Sequence, residues 1–80
     1  MAVEALVFMT VEPSRVTELP EKLKQIEGVK EIYEVTGTYD FVIKMEANNY
    51  TELAKILREK VLKLPGVIRT TTSFIVAKHL

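Results

Sequence analysis

Apolar residues near both ends of the chain have the spacing of buried β-strands. Val3–Val11 is dense in Val, Leu, Phe and Met and is too short for a typical buried helix, so it is predicted to be a central strand. Its odd-numbered residues form one apolar face, and Leu6 and Phe8 make the opposite face apolar as well. Both faces of the first strand therefore need to be buried. Val67–Lys78 is predicted to be the last strand.

A β-hairpin is predicted in the middle of the chain. Val29–Thr36 and Asp40–Ala47 alternate apolar and polar residues, and a Gly-Thr turn separates them. We expect Val29 and Tyr33 to share one face of the first hairpin strand, because alternate residues of a strand point to the same side. The hairpin thus supplies two neighbouring strands of a sheet.

The first helix is predicted between the first strand and the hairpin. Pro20 lies inside this stretch, and it either kinks the helix or marks a late start capped by Thr17; the sequence leaves both readings open. Gly28 is a good C-terminal stop. The apolar positions with helical spacing are Val16, Leu19, Leu23 and Ile26.

The second helix follows Asn49. This residue and Glu52, three positions later, resemble a capping box with an Asn cap. The helix is predicted to end at Pro65-Gly66. Its apolar stripe consists of Tyr50, Leu53, Leu57, Val61 and Leu64.

The elements occur in the order strand-helix-strand, and this order is repeated once. Each helix ends in a Gly-Val step, at Gly28 and at Gly66, which is a weak internal repeat. Right-handed crossovers place both helices on one face of the sheet. The predicted fold is therefore α+β: a ferredoxin-like βαββαβ sandwich with a four-stranded antiparallel sheet and two helices on one face, as a single domain over residues 1–80.

The predicted helices leave the other face of the sheet uncovered. That face is lined by Leu6, Phe8 and Val42, with either Ile75 and Ala77 or Phe74 and Val76 of the last strand. An exposed apolar patch usually marks an interface, and a small domain without disulfides gains stability by associating. Identical chains most often associate through closed two-fold contacts. We therefore predict a homodimer whose interface includes Leu6, Phe8 and Val42; scattered surface apolar residues are the alternative.

Composition and charge narrow the range of functions. The 80 residues are 48% hydrophobic and 28% charged, within the globular range. Eleven basic and eleven acidic residues cancel, which argues against a dedicated nucleic-acid binder. No apolar run approaches the roughly 20 residues that cross a bilayer, and the N-terminus lacks the cationic region of a signal peptide. We expect a cytoplasmic protein with neither nucleic acid nor a membrane as a direct partner.

Reactive side chains are scarce. The chain has no Cys, and its one His, His79, lies next to the C-terminus, where order is usually poor. Soft-metal sites are therefore not expected. No Gly-rich phosphate loop and no nucleophile–base pair is visible. We predict no catalytic residue, no metal and no cofactor, and a self-sufficient enzyme of an ordinary kind is not expected.

The hairpin turn is the first candidate for binding chemistry. Gly37 can adopt a positive φ, which lets backbone approach a ligand closely. Tyr39 offers a phenol and Asp40 a carboxylate, which suit the ammonium of a small amphoteric ligand, while loop amides suit its carboxylate. A plain turn is the alternative, because Gly and Asp are common turn formers.

A run of four hydroxyl residues is the second candidate. Thr70 and Thr72 share one face of the last strand, and Thr71 and Ser73 share the other. One of these pairs could line a polar pocket. The high β-propensity of Thr accounts for the run without any function.

These two segments together resemble the ligand-binding (RAM) domain of the Lrp/AsnC family. Val35–Phe41 contains the Gly-x-Tyr-Asp pattern, and Pro65–Thr72 is similar to the family's last strand, Gly-Val-x-x-Thr-x-Thr. The likeness spans almost the whole chain. It implies a βαββαβ domain that pairs through its sheets into a dimeric α+β barrel, and dimers that assemble further into octamers or similar rings.

The resemblance also implies amino-acid binding and transcription regulation. Effectors of the family, often amino acids, bind in clefts between dimers. Asp40 or backbone carbonyls would take the ligand ammonium, and amides near Gly37 and the Thr hydroxyls would take its carboxylate. Carried over position by position, the ligand-binding residues are Gly37, Thr38, Tyr39, Asp40, Thr70 and Thr72.

One departure from the family and two alternatives remain. Family members carry an N-terminal helix-turn-helix domain, whereas here the first predicted strand begins directly after Met1. The resemblance then implies a stand-alone effector domain whose partners are itself, an amino acid or similar metabolite, and full-length Lrp/AsnC regulators. A small dimeric α+β barrel enzyme of monooxygenase or isomerase type would need a pocket between sheet and helices. A nucleic-acid-binding module would need exposed aromatic residues on the sheet and basic residues around them.

Overall fold

The backbone follows the predicted order of strands and helices. A computed structural model describes residues 2–80. Its elements are β1 (Val3–Val11), a 3₁₀ turn (Pro13–Arg15), α1 (Leu19–Lys24), β2 (Val29–Glu34), β3 (Phe41–Ala47), α2 (Tyr50–Ile56), a π-helical segment (Leu57–Val61) and β4 (Val67–Phe74). The strands form one antiparallel sheet in the order β2-β3-β1-β4, which confirms the ferredoxin-like α+β fold.

The hydrophobic core lies between one face of the sheet and the helices. Ala5, Val7 and Met9 of β1 are completely buried there, because β1 is a central strand with β3 on one side and β4 on the other. Burial of a side chain the size of Val or Met contributes about 1.5–3 kcal/mol. The helix layer closes this core with four buried residues: Leu19, Leu23, Leu53 and Val61.

The position of Pro20 in the first helix is now clear. α1 begins at Leu19, so Pro20 is its second residue, where the missing N–H breaks no helical hydrogen bond. The late start is therefore correct and the kink is wrong. Thr17 is not the cap, because the helix begins one residue later than that reading requires: Glu18 is the N-cap residue, and its side chain makes no capping hydrogen bond.

Gly28 turns the chain from α1 into β2. Its φ is +100°, a conformation that L residues rarely adopt. The Glu46 N–H donates to the Gly28 carbonyl at 2.8 Å, and a Cβ at Gly28 would lie 2.9 Å from the Glu46 carbonyl oxygen. The predicted stop is wrong, because α1 ends earlier, at Lys24. Glycine is needed at this position for its positive φ and for the close contact with β3.

Asn49 caps α2 as predicted. Its Oδ1 accepts a hydrogen bond from the Glu52 N–H at 2.8 Å, which satisfies one of the free N–H groups at the helix start. The helix continues as the π-helical segment, in which the Leu62 N–H donates to the Leu57 carbonyl at 2.9 Å. Four residues of the predicted apolar stripe face the core, since Leu53 and Val61 are buried and Leu57 and Leu64 pack against them, whereas Tyr50 is 55% exposed.

One prediction about the hairpin is wrong. Val29 and Tyr33 were expected on one face, but Val29 pairs with Met45 and Tyr33 pairs with Val42, and these two partners point to opposite faces of β3. A register irregularity between Val29 and Glu31 shifts the rest of the strand by one residue. Tyr33 consequently lies on the side of the sheet away from the helices.

The hairpin strands and the last strand are shorter than predicted. β2 ends at Glu34, β3 begins at Phe41, and β4 ends at Phe74 rather than at Lys78. The Ile75 N–H still donates to the Glu4 carbonyl at 2.9 Å. The ladder stops at the pair Ala5–Phe74, although β1 extends two residues further, to Val3.

The sheet face away from the helices is uncovered within residues 2–80, and we call it the open face. It is formed by Leu6, Phe8 and Thr10 of β1, Val42 and Lys44 of β3, Tyr33 of β2, and Arg69, Thr71 and Ser73 of β4. Leu6, Phe8 and Val42 are only partly buried, as predicted. Ile75 continues the alternation of the open face, whereas Phe74 lies opposite the buried Ala5.

Candidate ligand site at one end of the open face

The loop between β2 and β3 carries four of the predicted ligand-binding residues. Gly37 has a φ of +108°, which confirms the predicted positive φ. No heavy atom beyond its chain neighbours lies within 4 Å of the position that a Cβ would take there. Gly37 and Thr38 are both exposed. The backbone amides at the tip of this loop are therefore accessible to a ligand.

Asp40 ties this loop to β1 and β2. Its N–H donates to the Met9 carbonyl and its carbonyl accepts from the Val35 N–H, both at 2.9 Å. Its side-chain Oδ2 accepts a hydrogen bond from the Val11 N–H at 2.8 Å. The other carboxylate oxygen, Oδ1, has no hydrogen-bond partner within residues 2–80. Asp40 thus has one oxygen with a structural role and one that can accept from a ligand.

Tyr39 lies over β1 and reaches β4. Its ring and that of Phe8 have centroids 5.4 Å apart and planes tilted by 48°, a favourable aromatic arrangement. Its hydroxyl oxygen lies 3.4 Å from Thr71 Oγ1, at the long end of the hydrogen-bond range. Tyr39 therefore covers part of the apolar open face and brings two hydroxyls together.

Thr70 and Thr72 lie on the opposite face of β4. Their Cα partners on β1 are Met9 and Val7, both fully buried on the helix side. Of the two alternating hydroxyl pairs, the one that contains Thr71 is on the same side as Tyr39. One ligand could contact Tyr39 and Thr71, whereas the sheet separates Tyr39 from Thr70 and Thr72.

Thr10 and Arg69 complete this end of the open face, and sequence reasoning did not single them out. They are Cα partners on β1 and β4. The Thr10 hydroxyl oxygen is buried and has no hydrogen-bond partner within residues 2–80, a condition that costs about 1–3 kcal/mol. Arg69 is exposed. Only the pairing register places these two residues beside the loop, and no local pattern in the sequence encodes that register.

A row of charged residues lies at the opposite end of the open face. Lys44 Nζ is 3.2 Å from Glu4 Oε2 and 3.8 Å from Glu31 Oε2. The hydrogen bond to Glu4, together with the charge of that carboxylate, raises the pKa of Lys44. The Tyr33 hydroxyl donates to Glu31, and this bond raises the pKa of Tyr33. The open face is thus charged at one end, apolar in the middle and rich in hydroxyls at the other end.

The space between the sheet and the helices is filled by apolar side chains. Phe41, Ile43 and Leu53 are fully buried there, and no polar residue is buried among residues 2–80. A shallow cleft of about 680 Å³ lies instead on the outside of the helix layer, where Asn49 and Lys55 line it. The enzyme alternative requires a pocket in the filled space, so the described residues do not favour it.

Two further kinds of site are not found in the part of the chain that the structure describes. None of its helices is long and apolar enough to span a bilayer. No three His, Cys, Asp or Glu side chains in residues 2–80 are grouped so that they could hold a metal ion.

Curated proteins resemble the chain over most of its length. FL11, an HTH-type transcriptional regulator of Pyrococcus abyssi, is 32% identical over 75 residues, which are 94% of this chain and 49% of that protein. Homocitrate synthase of Sulfolobus acidocaldarius is 40% identical over 62 residues, which are 78% of this chain and 13% of the enzyme. The chain thus spans about half of the regulator and a small part of the enzyme.

Solved structures share the fold. TTHA0845 of Thermus thermophilus is 31% identical, with a TM-score of 0.89 and 98% of both chains covered. The complex of the transcriptional regulator NMB0573 of Neisseria meningitidis with L-Met has a TM-score of 0.87 over 96% of this chain and 53% of that one. At 15% identity, the second likeness is one of fold alone.

The match to a known family covers nearly all of the described residues. Residues 4–80 match the Lrp/AsnC ligand binding domain. This range includes both segments that carry the resemblance, the loop before β3 and the start of β4. The chain belongs to the Lrp/AsnC ligand-binding domain family.

Proposed function

We propose that this chain is an effector-binding module that takes up a small amphoteric metabolite, most simply an amino acid, and assembles with copies of itself. The observation that carries the proposal is the end of the open face, where Tyr39 reaches Thr71 and Asp40 keeps one carboxylate oxygen free. A carboxylate suits a ligand ammonium, and hydroxyls and exposed amides suit a ligand carboxylate. Family membership and the L-Met complex of NMB0573 support this choice of ligand class.

The roles within the site follow from which groups are free. Asp40 Oδ1 takes the ligand ammonium, and the amides of the Gly37-Thr38 tip take its carboxylate together with the hydroxyls of Tyr39 and Thr71. Thr70 and Thr72 remain predicted ligand-binding residues. Because they lie on the helix side of an edge strand, they would serve a ligand held against a neighbouring subunit.

The dimer we propose packs the open faces of two copies together. Leu6, Phe8 and Val42 are partly exposed at its centre, and Tyr33 beside them is 52% exposed. Covering apolar surface is favourable by about 25 cal/mol per Å², and identical chains pair most often by a two-fold axis. The end of the open face that carries Tyr39 then lies at the rim of the interface, where a second subunit helps to close the site.

Assembly beyond the dimer, into an octamer or a similar ring, needs a second surface. The outer edge of β4 offers one, because Ile68 is 63% exposed and Phe74 packs edge-to-face on the exposed Tyr50, with ring centroids 4.8 Å apart. These side chains lie outside the open face. The same two surfaces would let the chain form mixed oligomers with full-length Lrp/AsnC regulators.

The role we propose is regulation of transcription through a partner, without catalysis. FL11 is named as a transcriptional regulator, and the interior of the present domain is filled. Equal numbers of acidic and basic residues give no cationic excess with which to bind DNA directly. We propose the cytoplasm as the place where such a module acts.

A thermal-shift panel of the twenty amino acids tests the proposal, combined with measurement of mass in solution. At least one amino acid should raise the melting temperature, because a ligand at 100 times its Kd stabilises a fold by about 2.7 kcal/mol. Haem and aromatic substrates should not raise the melting temperature. A chain that stays monomeric at micromolar concentration and responds to no amino acid would contradict the proposal.

Variants of Asp40 separate its two roles. Asp40→Asn keeps an oxygen for the Val11 N–H but removes the charge, so we expect a near-normal melting temperature and a roughly tenfold or greater loss of amino-acid affinity. Asp40→Ala removes both and should also lower stability. Glu34→Gln, which neutralises an exposed carboxylate of β2, is the matched control. Unchanged binding by Asp40→Asn would show that the ammonium is held elsewhere.

A further inference from the structure

We propose that Arg69 makes this site selective for α-amino acids, by binding the ligand carboxylate with its guanidinium group while Asp40 holds the ammonium. The inference rests on the proposed function. It assigns the carboxylate mainly to a residue that belongs neither to the loop before β3 nor to the threonine pair predicted from the sequence.

Asp40, Thr10 and Arg69 form one row across the sheet. Thr10 is the Cα partner of Arg69. On its other side, Asp40 donates its N–H to the Met9 carbonyl at 2.9 Å and accepts from the Val11 N–H at 2.8 Å. These two bonds bracket Thr10. Because neighbouring strands lie about 4.8 Å apart, the backbones of Asp40 and Arg69 are about 10 Å apart, with Thr10 between them.

The side chains of this row can meet a ligand with both charges on one carbon. The Asp40 carboxylate would hydrogen-bond the ligand ammonium, and the longer Arg69 side chain would bring its guanidinium group to the ligand carboxylate. The ligand side chain is left outside the row. An amine without a carboxylate, or an acid without an ammonium, would meet only one of the two charges.

Arg69 is free to take this role. It is exposed, and none of the salt bridges within residues 2–80 involves it. Arg15 and Lys44, by contrast, are each paired with glutamate. A guanidinium group also presents two parallel N–H donors that match a carboxylate, which an ammonium group cannot do.

The Thr10 hydroxyl independently points to the same row. Buried polar atoms nearly always have a hydrogen-bond partner in folded proteins. Thr10 Oγ1 has none within residues 2–80, and it is the one buried side-chain polar atom there of which this is true. A carboxylate held by Arg69, or a water that it orders, would supply the partner.

The test compares pairs of probes on wild type and on Arg69→Gln. The first pair is L-methionine and L-methioninol, in which a hydroxymethyl group replaces the carboxylate; the other amino acids and their amino alcohols follow. We expect Arg69→Gln to lose roughly 10- to 100-fold in affinity for the amino acid and to bind the amino alcohol about as wild type does. Arg69→Lys keeps the positive charge but lacks the two parallel N–H donors, so its affinity for the amino acid should lie between those of wild type and Arg69→Gln. Arg58→Gln, at an exposed arginine of the helix layer, is the matched control.

The outcomes distinguish this inference from the proposed function. Wild-type affinity of Arg69→Gln for the amino acid overturns the inference and leaves amino-acid binding intact. Equal losses for acid and alcohol, with a lower melting temperature, also overturn it, because Arg69 would then be a structural residue. If wild type binds none of the twenty amino acids, the proposed function fails in the first measurement and the inference falls with it.

Discussion

The covered face and the open face of the sheet are made from alternate residues of the same strands, but they differ in chemistry. On the covered face, neighbours such as Val7 and Ile43 are fully buried, and no buried residue within 2–80 is polar. On the open face, Leu6 and Val42 stay partly exposed, and Thr10 keeps an unpaired buried hydroxyl. The first face is covered by the helices, whereas the second is uncovered within residues 2–80.

This difference shows how a small domain divides its residues between folding and binding. The helices can bury one face of the sheet, and the apolar residues there supply the stability. A small domain buries a smaller share of its apolar surface than a large one. Partly exposed apolar residues such as Leu6 and Phe8 therefore cost stability unless association covers them. The open face is therefore where we place both the second subunit and the ligand.

The largest effect should come from matched truncations on adjacent residues of β3. Ile43→Ala removes buried methyl groups and should lower the free energy of unfolding by about 2–5 kcal/mol. Val42→Ala, one residue away on the open face, should cost about 1 kcal/mol or less at low protein concentration. Urea unfolding of both variants measures this. Equal losses would remove the distinction between the two faces.

A charge placed at the centre of the open face should break the proposed dimer. Leu6→Asp puts two carboxylates into an interface of two-fold symmetry, so we expect the dissociation constant to rise by roughly 100-fold or more. Leu62→Asp, at an exposed leucine of the helix layer, is the matched control and should leave dimerisation unchanged. Sedimentation equilibrium gives both constants. A Leu6→Asp chain that dimerises like wild type would mean that the interface lies elsewhere.

Much of the fold could be predicted because its signals are local. The apolar residues of Val3–Val11 and the Asn49 cap each act over a few positions, and both are confirmed. The helix stop was less accurate, because α1 ends at Lys24, before Gly28. Strand ends were also less accurate: β4 ends at Phe74, although its own apolar pattern and its partner strand β1 both continue beyond that point.

The candidate site could be predicted only in part, because it depends on register. The loop residues Tyr39 and Asp40 carry a recognisable pattern, and the structure places them at the end of the open face. Which hydroxyl meets Tyr39 is decided by the pairing of β1 with β4, which brings Thr71 to it. Arg69 and Thr10 escaped notice for the same reason. The register irregularity in β2 likewise cannot be recognised from the sequence, because the residues around it keep alternating between apolar and polar.

A smaller effect should appear when the unpaired hydroxyl of the open face is removed. Thr10→Val replaces it with a methyl group of similar size, so we expect the ligand-free chain to gain about 1 kcal/mol of stability. Amino-acid binding should weaken at the same time, because the ligand loses a hydrogen-bonding neighbour. Thr36→Val, at an exposed threonine, is the control. A loss of stability in Thr10→Val would mean that the hydroxyl already has a partner, such as an ordered water.

The smallest effect should be the alkaline pH dependence of stability. It should come from the open face, because no charged residue among residues 2–80 is buried on the covered face. The pKa of Lys44 is raised by its hydrogen bond to Glu4, so the folded state holds this proton more tightly than the unfolded state does. The resulting stabilisation is complete below the ordinary lysine pKa, roughly pH 10.4, and is lost as the pH rises through the folded value. Between about pH 6 and 8 this pair should therefore contribute no slope.

Melting temperatures of wild type and Glu4→Gln test this sign. Wild type should lose its advantage over Glu4→Gln as the pH rises above roughly 10, and about 1 M salt should shrink the difference at every pH, because the pair is partly exposed and open to screening. Glu59→Gln, which neutralises an exposed carboxylate on the helix layer, should follow wild type throughout. If the advantage of wild type grew with alkaline pH instead, a group other than Lys44 would hold the stabilising proton. Lys44 would then not be a source of stability at the charged end of the open face.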